Sequence, residues 1–176
     1  RETLAGRPLA AQVDRWDAWF HGCETREHMD DPDLPAVRRA QLVARLHILN
    51  QALESYERFW EAIHPLLRHR GTTRILELAS GTGGLAIWLA RRARQLGLDV
   101  AVTASDINPR LLDQGRAAAR AAGLPVAFRL GDALDLRSLD GHWDVILCAQ
   151  ALHHFPAGWL TVMYQQAVGC ARRGVV

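Results

Sequence analysis

The sequence contains no lysine; all 21 of its basic residues are arginine. That absence removes the Tyr-x-x-x-Lys pair used by many nicotinamide-dependent oxidoreductases. With alanine abundant throughout, it also points to a G+C-rich, bacterial genome. Cysteine is scarce: Cys23, Cys148 and Cys170 are odd in number and widely spaced. This argues against a disulfide framework or a zinc site and for a reducing cytoplasm. No apolar run approaches the roughly 20 residues of a membrane span, so no membrane partner is expected. Charge of one sign is lacking too, and a net charge of +2 is too small to imply nucleic-acid binding. The clustered Arg91, Arg92 and Arg94 read as a solvated helix face. The start shows neither an initiator Met nor a signal-peptide pattern, so a trimmed N-terminus is expected. Repeats and low-complexity segments are absent.

What is present is the balance of a globular domain, 49% hydrophobic and 23% charged over 176 residues. Residues 1–70 read as helical. Val13, Trp16, Trp19 and Phe20 suit one face of a short helix. An acidic, proline-bearing break spans Met29 to Pro35. Val37, Leu42, Leu46, Leu49, Leu53, Tyr56, Trp60 and Ile63 then recur at helical spacing up to Pro65. These aromatic residues, with Phe59, are expected to pack helices, some of them facing a cleft as a lid.

From Arg74 the pattern changes to alternating strands and helices. Strands are expected at 74–79, 100–105, 126–130 and 144–149, and a fifth begins at Gly174. Helices lie between them, one opened by Asn108-Pro109 and the last running from Trp159 to Arg172. Regular alternation of this kind predicts an α/β fold, a Rossmann-like parallel sheet with helices on both faces and an N-terminal helical extension. The expected division is an extension over 1–70 and a ligand-binding domain over 71–176.

Chemistry concentrates at the strand ends. Glu77-Leu-Ala79-Ser80-Gly81-Thr-Gly83-Gly84 sits between a strand and a helix, where glycines let a ligand approach the backbone. Taken alone it also fits a dinucleotide turn. Glu77, four residues before Gly81, tilts the choice, because a carboxylate repels a pyrophosphate and attracts a sulfonium or an ammonium. Asp106 ends the second strand, where it suits two ribose hydroxyls, and Asp132 follows the third, where it suits an adenine amino group.

With these pieces the sequence resembles the class I S-adenosylmethionine (SAM)-dependent methyltransferases, in particular small-molecule enzymes of the ubiquinone-biosynthesis and type 11/12 kind. Leu-Glu77-Leu-Ala-Ser-Gly-Thr-Gly83, Ser-Asp106-Ile-Asn-Pro, Gly-Asp132-Ala and Trp-Asp144-Val-Ile-Leu-Cys-Ala-Gln150-Ala-Leu-His-His154-Phe carry the resemblance over residues 74–176. The N-terminal helices, with Met-Asp-Asp-Pro-Asp-Leu34, resemble a segment of bacterial natural-product methyltransferases. The resemblance implies SAM as cofactor. Glu77, Ala79 and Gly81 would surround its methionine part, with Ser80 and Gly83 completing the turn. Asp106 would hold the ribose, Ile107 would pack on the adenine, and Asp132 with the Ala133 backbone would read the adenine edge. Gln150 would line the methyl-donor side. Ala79 departs from the glycine that the family most often has. The family's sheet has seven strands, so the C-terminal strands are expected to be absent here, leaving an edge open at strand four. Such an edge invites pairing with another chain and leaves a homo-oligomer open.

The expected activity is methyl transfer to a small organic acceptor, an aromatic or polyketide-derived hydroxyl or carbon. His153 and His154 follow strand four, and either is a candidate base; a structural or substrate-shaping role for the pair stays open. No metal is expected: His21, His28, Asp30, Asp31 and Asp33 are irregularly spaced in a loop. His47, His64 and His69 receive no chemistry. No Asn-Pro-Pro-Tyr-like motif or basic stripe supports nucleic-acid methylation. An NAD(P)-dependent oxidoreductase and a non-catalytic SAM-binding protein remain as alternatives.

Overall fold

The computed structural model describes residues 33–67 and 71–176. The expected short helix around Val13 to Phe20, Cys23, His21, His28, His69 and most of the acidic break lie outside these residues. Helix α1 (Ala36–Ala52) begins after Pro35, and α2 (Ser55–Ile63) runs into a 3-10 turn, His64–Leu66. Strand β1 (Thr73–Glu77) opens the alternating part, followed by α3 (Gly84–Gln95), β2 (Val100–Asp106), α4 (Pro109–Ala121) and β3 (Val126–Leu130). Strand β4 (Trp143–Leu147), α5 (Ala157–Cys170) and β5 (Ala171–Val175) complete it. Asn108 caps α4 as expected, its side-chain oxygen accepting from Arg110 N–H at 3.1 Å, with Pro109 in the first turn.

The five strands form one sheet in the order β3-β2-β1-β4-β5, and every adjacent pair is parallel. Ile75 stands level with Val102 and Val145, and Glu77 with Ala104 and Leu147. The carboxyl ends of β1, β2 and β4 therefore reach one edge together, beside the point where the strand order reverses. Alternation of side chains sends β1 into two cores. Ile75 packs with Val102, Ala104, Val145 and Leu147 under Leu85, Ala86 and Leu89 of α3 and Tyr56, Trp60 and Ile63 of α2. Leu76, Leu78 and Ile146 pack on the other face against Leu136, Leu139, Trp143 and Met163. Residues on α2 thus share a core with the sheet, because Tyr56, Trp60 and Ile63 fall on one helical face.

Three expectations change. The single helix expected from Val37 to Ile63 is broken at Glu54, whose left-handed backbone (φ 52°) turns the chain between α1 and α2. Much of the apolar stripe assigned to that helix is consequently not core: Val37, Leu46, Leu49 and Leu53 are exposed on α1 and its end. The last helix stops at Cys170 rather than Arg172, and β5 begins directly with Ala171. Strand β4 is therefore an interior strand, its outer side paired with β5 from Trp143↔Ala171 to Ile146↔Val175, and the edges are β3 and β5.

Candidate active site

Between β1 and α3 the chain makes a turn in which Ala79 (φ 48°), Gly81 (φ 57°) and Gly83 (φ 67°) are all left-handed. Alanine adopts this region at a cost of about 1–2 kcal/mol, so Ala79 is a strained position in the turn. Gly83 has a second constraint: a Cβ there would lie 2.7 Å from Phe128 Cε1 on β3. The turn is pinned from below. Ser80 N–H donates to Ser105 O at 2.9 Å, Gly83 N–H to Ser80 O at 2.8 Å, and Ser105 Oγ to Glu77 O at 3.0 Å. Ser80 Oγ is buried with no hydrogen-bond partner, which leaves a donor and acceptor in the turn for something other than the protein.

The three acids stand at or just beyond the strand ends, and each already accepts a backbone hydrogen bond. Glu77 is the last residue of β1 and 3% exposed. Its Oε2 accepts from Ala86 N–H, in the first turn of α3, at 2.9 Å. Burial pushes its carboxyl up to about 8, the Ala86 hydrogen bond opposes that, and the charge of Asp106 adds to it. Glu77 is therefore not the standing negative charge expected from its sequence position. With its carboxyl pushed up to about 8, it is largely uncharged at neutral pH in the folded protein. Asp106 ends β2 and is buried. Its Oδ2 accepts from Gly81 N–H and its Oδ1 from Asn108 N–H, both at 2.8 Å, so it braces the glycine turn and retains only its remaining lone pairs for a ligand.

Farther along the edge, Ile107 is 72% exposed immediately beyond Asp106, an apolar side chain without an intramolecular core. Asp132 is exposed beyond β3, its Oδ1 accepting from Leu134 N–H at 2.8 Å, and Ala133 is buried beside it. Gln150, three residues past β4, is left-handed (φ 60°) and pairs with Asn50 of α1 through two hydrogen bonds of 2.7 Å, each side chain donating to the other. His153 and His154 lie in a 3-10 turn, Leu152–His154, both exposed, with ring centroids 4.1 Å apart. Cys148 is pushed up to about 12 by burial, helped by Glu77 nearby, so its thiol is not a nucleophile. Among the described residues no group of three or more His, Cys, Asp or Glu can hold a metal ion.

Sequence reasoning missed the residues of α1 and α2 that reach this edge. The His47 ring lies against Gly84, the first residue of α3: a Cβ on Gly84 would fall 1.5 Å from His47 Cε1. His47 Nδ1 is 2.6 Å from Tyr56 Oη. Tyr56 is raised by burial, lowered by a side-chain hydrogen bond with Asn50 and raised again by Glu77. A polar chain therefore runs from Gln150 through Asn50 and Tyr56 to His47. The one available signal was that His47 and Asn50, three apart on α1, interrupt a stripe of apolar residues.

Comparison with known proteins decides the family. A family described as methyltransferase domain matches residues 75–174, the span from β1 to β5. The chain belongs to this methyltransferase-domain family. Among its relatives, a demethylmenaquinone methyltransferase of Deinococcus radiodurans is 36% identical over 119 residues, covering 66% of this chain and 47% of the relative. A 27-O-demethylrifamycin SV methyltransferase of Amycolatopsis mediterranei is 28% identical over 123 residues, covering 69% and 43%. The chain thus spans about half the length of the relatives it matches. The solved magnesium protoporphyrin IX methyltransferase of Synechocystis PCC 6803, crystallised with SAH, superposes over 96% of this methyltransferase-domain chain and 66% of its own, with a TM-score of 0.56. At 18% identity it testifies to the fold alone.

Proposed function

We propose that the protein is a SAM-dependent methyltransferase acting on a small organic acceptor that offers a hydroxyl or an acidic carbon, of the aromatic or polyketide kind. The observation that carries this reading is Glu77: a buried carboxyl at the tip of β1, held neutral by burial and ready to ionise when a cation arrives. A sulfonium or ammonium draws that carboxyl into its charged form, whereas a diphosphate offers it no positive charge. The residues fit SAM. Ser80 Oγ is an unsatisfied polar atom in the turn, Ile107 is an exposed apolar surface for a base, and Glu77 answers a positive sulfur or ammonium.

On this reading Glu77, Ala79, Ser80, Gly81 and Gly83 hold the methionine part and Asp106 takes the ribose. Ile107, Asp132 and Ala133 hold the adenine, and Gln150 borders the methyl-donor end. SAM supplies a methyl carbon activated by its sulfonium for in-line transfer. The protein aligns the acceptor and excludes water, because the reaction needs geometry more than covalent help. Residues 1–70 act as a cover over the 71–176 cofactor domain, with His153 and His154 shaping the acceptor's approach. A reducing cytoplasm suits the free thiols of Cys148 and Cys170.

Calorimetric titration with SAM, its demethylated product S-adenosylhomocysteine and NADH tests this. Binding of the first two without the third supports the reading. NADH bound in their place removes it.

A further inference from the structure

Two contacts fix what α1 carries over the crevice. Asn50 is locked to Gln150 at the exit of β4, and His47, one turn earlier, rests on Gly84 at the exit of the glycine turn. Between these points α1 runs from the exit of β4 to the start of α3, beside which the proposed function puts the methyl-donor end of the cofactor. The missing side chain at Gly84 makes the room. A Cβ there would meet His47 Cε1 at 1.5 Å, Nε2 at 2.3 Å and Nδ1 at 2.6 Å, so the imidazole fills that space. Tyr56 Oη engages Nδ1 at 2.6 Å, while Nε2 has no hydrogen-bond partner among the described residues.

We propose that His47 is the proton acceptor for methyl transfer in this crevice, a role that rests on the methyltransferase reading above. With its proton on Nδ1, the imidazole donates to Tyr56 Oη and leaves the Nε2 lone pair beside Gly84 at the start of α3. An acceptor hydroxyl would give its proton to Nε2, and bound SAM would supply the methyl group that takes the proton's place on oxygen. The resulting imidazolium keeps its Nδ1–H on Tyr56 and passes the Nε2 proton to solvent when the product leaves. Burial holds His47 below its ordinary value, so it is uncharged and able to accept at neutral pH. The groups that face it are Tyr56 from α2, kept a neutral phenol by burial, and, behind Tyr56, Glu77 at the end of β1 with Asp106 at the end of β2. Asn50 and Gln150 are uncharged, and the first turn of α3 carries no acid. His153 and His154, by contrast, are exposed.

Nitrogen NMR of the histidines in the 176-residue protein tests the role. With S-adenosylhomocysteine bound, His47 should show a protonated Nδ1 and a bare Nε2. Exchange for SAM should lower its titration midpoint by about one unit or more, because the sulfonium adds a positive charge close by. His47→Gln should bind S-adenosylhomocysteine within about threefold of wild type. Tyr56→Phe, which removes the Nδ1 partner while keeping the ring, should scramble the tautomer, and His153→Ala/His154→Ala should leave the SAM-dependent shift in place. A protonated Nε2, a midpoint that ignores SAM, or a loss of cofactor affinity beyond about tenfold in His47→Gln overturns the proposal while the methyltransferase reading stands. Failure of the wild-type protein to bind either nucleoside overturns both.

Discussion

Asn50 and Gln150, a hundred residues apart, exchange two side-chain hydrogen bonds of 2.7 Å and so join α1 to the exit of β4. Asn50 is buried and Gln150 exposed, which makes the pair asymmetric. Gln150→Ala leaves a buried amide unsatisfied and should cost about 1–3 kcal/mol, chiefly through Asn50. In a double-mutant cycle by urea denaturation, Asn50→Ala and Gln150→Ala should couple by about 0.5–1.5 kcal/mol. Strict additivity would mean that the pair does not hold α1 down.

Glu77 gives the protein a pH signature. Burial raises its carboxyl from 4.5 to about 8, so the folded state holds a proton that the unfolded chain releases. The stability this contributes is complete below pH 4.5 and is lost as pH climbs through about 8. Glu77→Gln keeps an oxygen for Ala86 N–H and removes the ionisation. Relative to wild type, its stability without ligand should rise steadily between about pH 5 and about pH 9. Denaturation at several pH values measures this, and a constant difference between the two proteins would refute the assignment.

The turn after β1 is strained at Ala79 and crowded beyond it. Ala79→Val puts a β-branched side chain at φ 48° and should destabilise by about 1–2 kcal/mol or more. Gly115→Ala on α4 should cost about 1–3 kcal/mol, since its Cβ meets Thr82 O at 2.5 Å and Phe128 Cε1 at 2.4 Å. Thermal melts report both. Tolerance of Gly115→Ala would show that α4 can move away from the glycine turn without penalty.

The strands and the glycine turn were legible in the sequence because a buried parallel sheet needs short apolar runs, and its turns need residues that tolerate a left-handed backbone. Val126–Leu130 matches its expected span, and Glu77 and Asp106 sit at the strand tips where the pattern put them. The break at Glu54 was not legible, since nothing in Leu53-Glu54-Ser55 marks a left-handed residue. That break redirects α2, so Tyr56 reaches back to His47. Helical periodicity reports which residues share a face, but not what the face meets. The residues His47, Asn50 and Tyr56 therefore stayed hidden until α1 and Gln150 could be seen together.

Calorimetry of SAM binding near pH 7, repeated in buffers of different ionisation enthalpy, addresses the central claim most directly. A sulfonium nucleoside seated above Glu77 should force its carboxyl to ionise and release about one proton per ligand bound, and Glu77→Gln should abolish that release. SAM heats that are identical in every buffer, or an NADH complex formed in its place, would contradict the account.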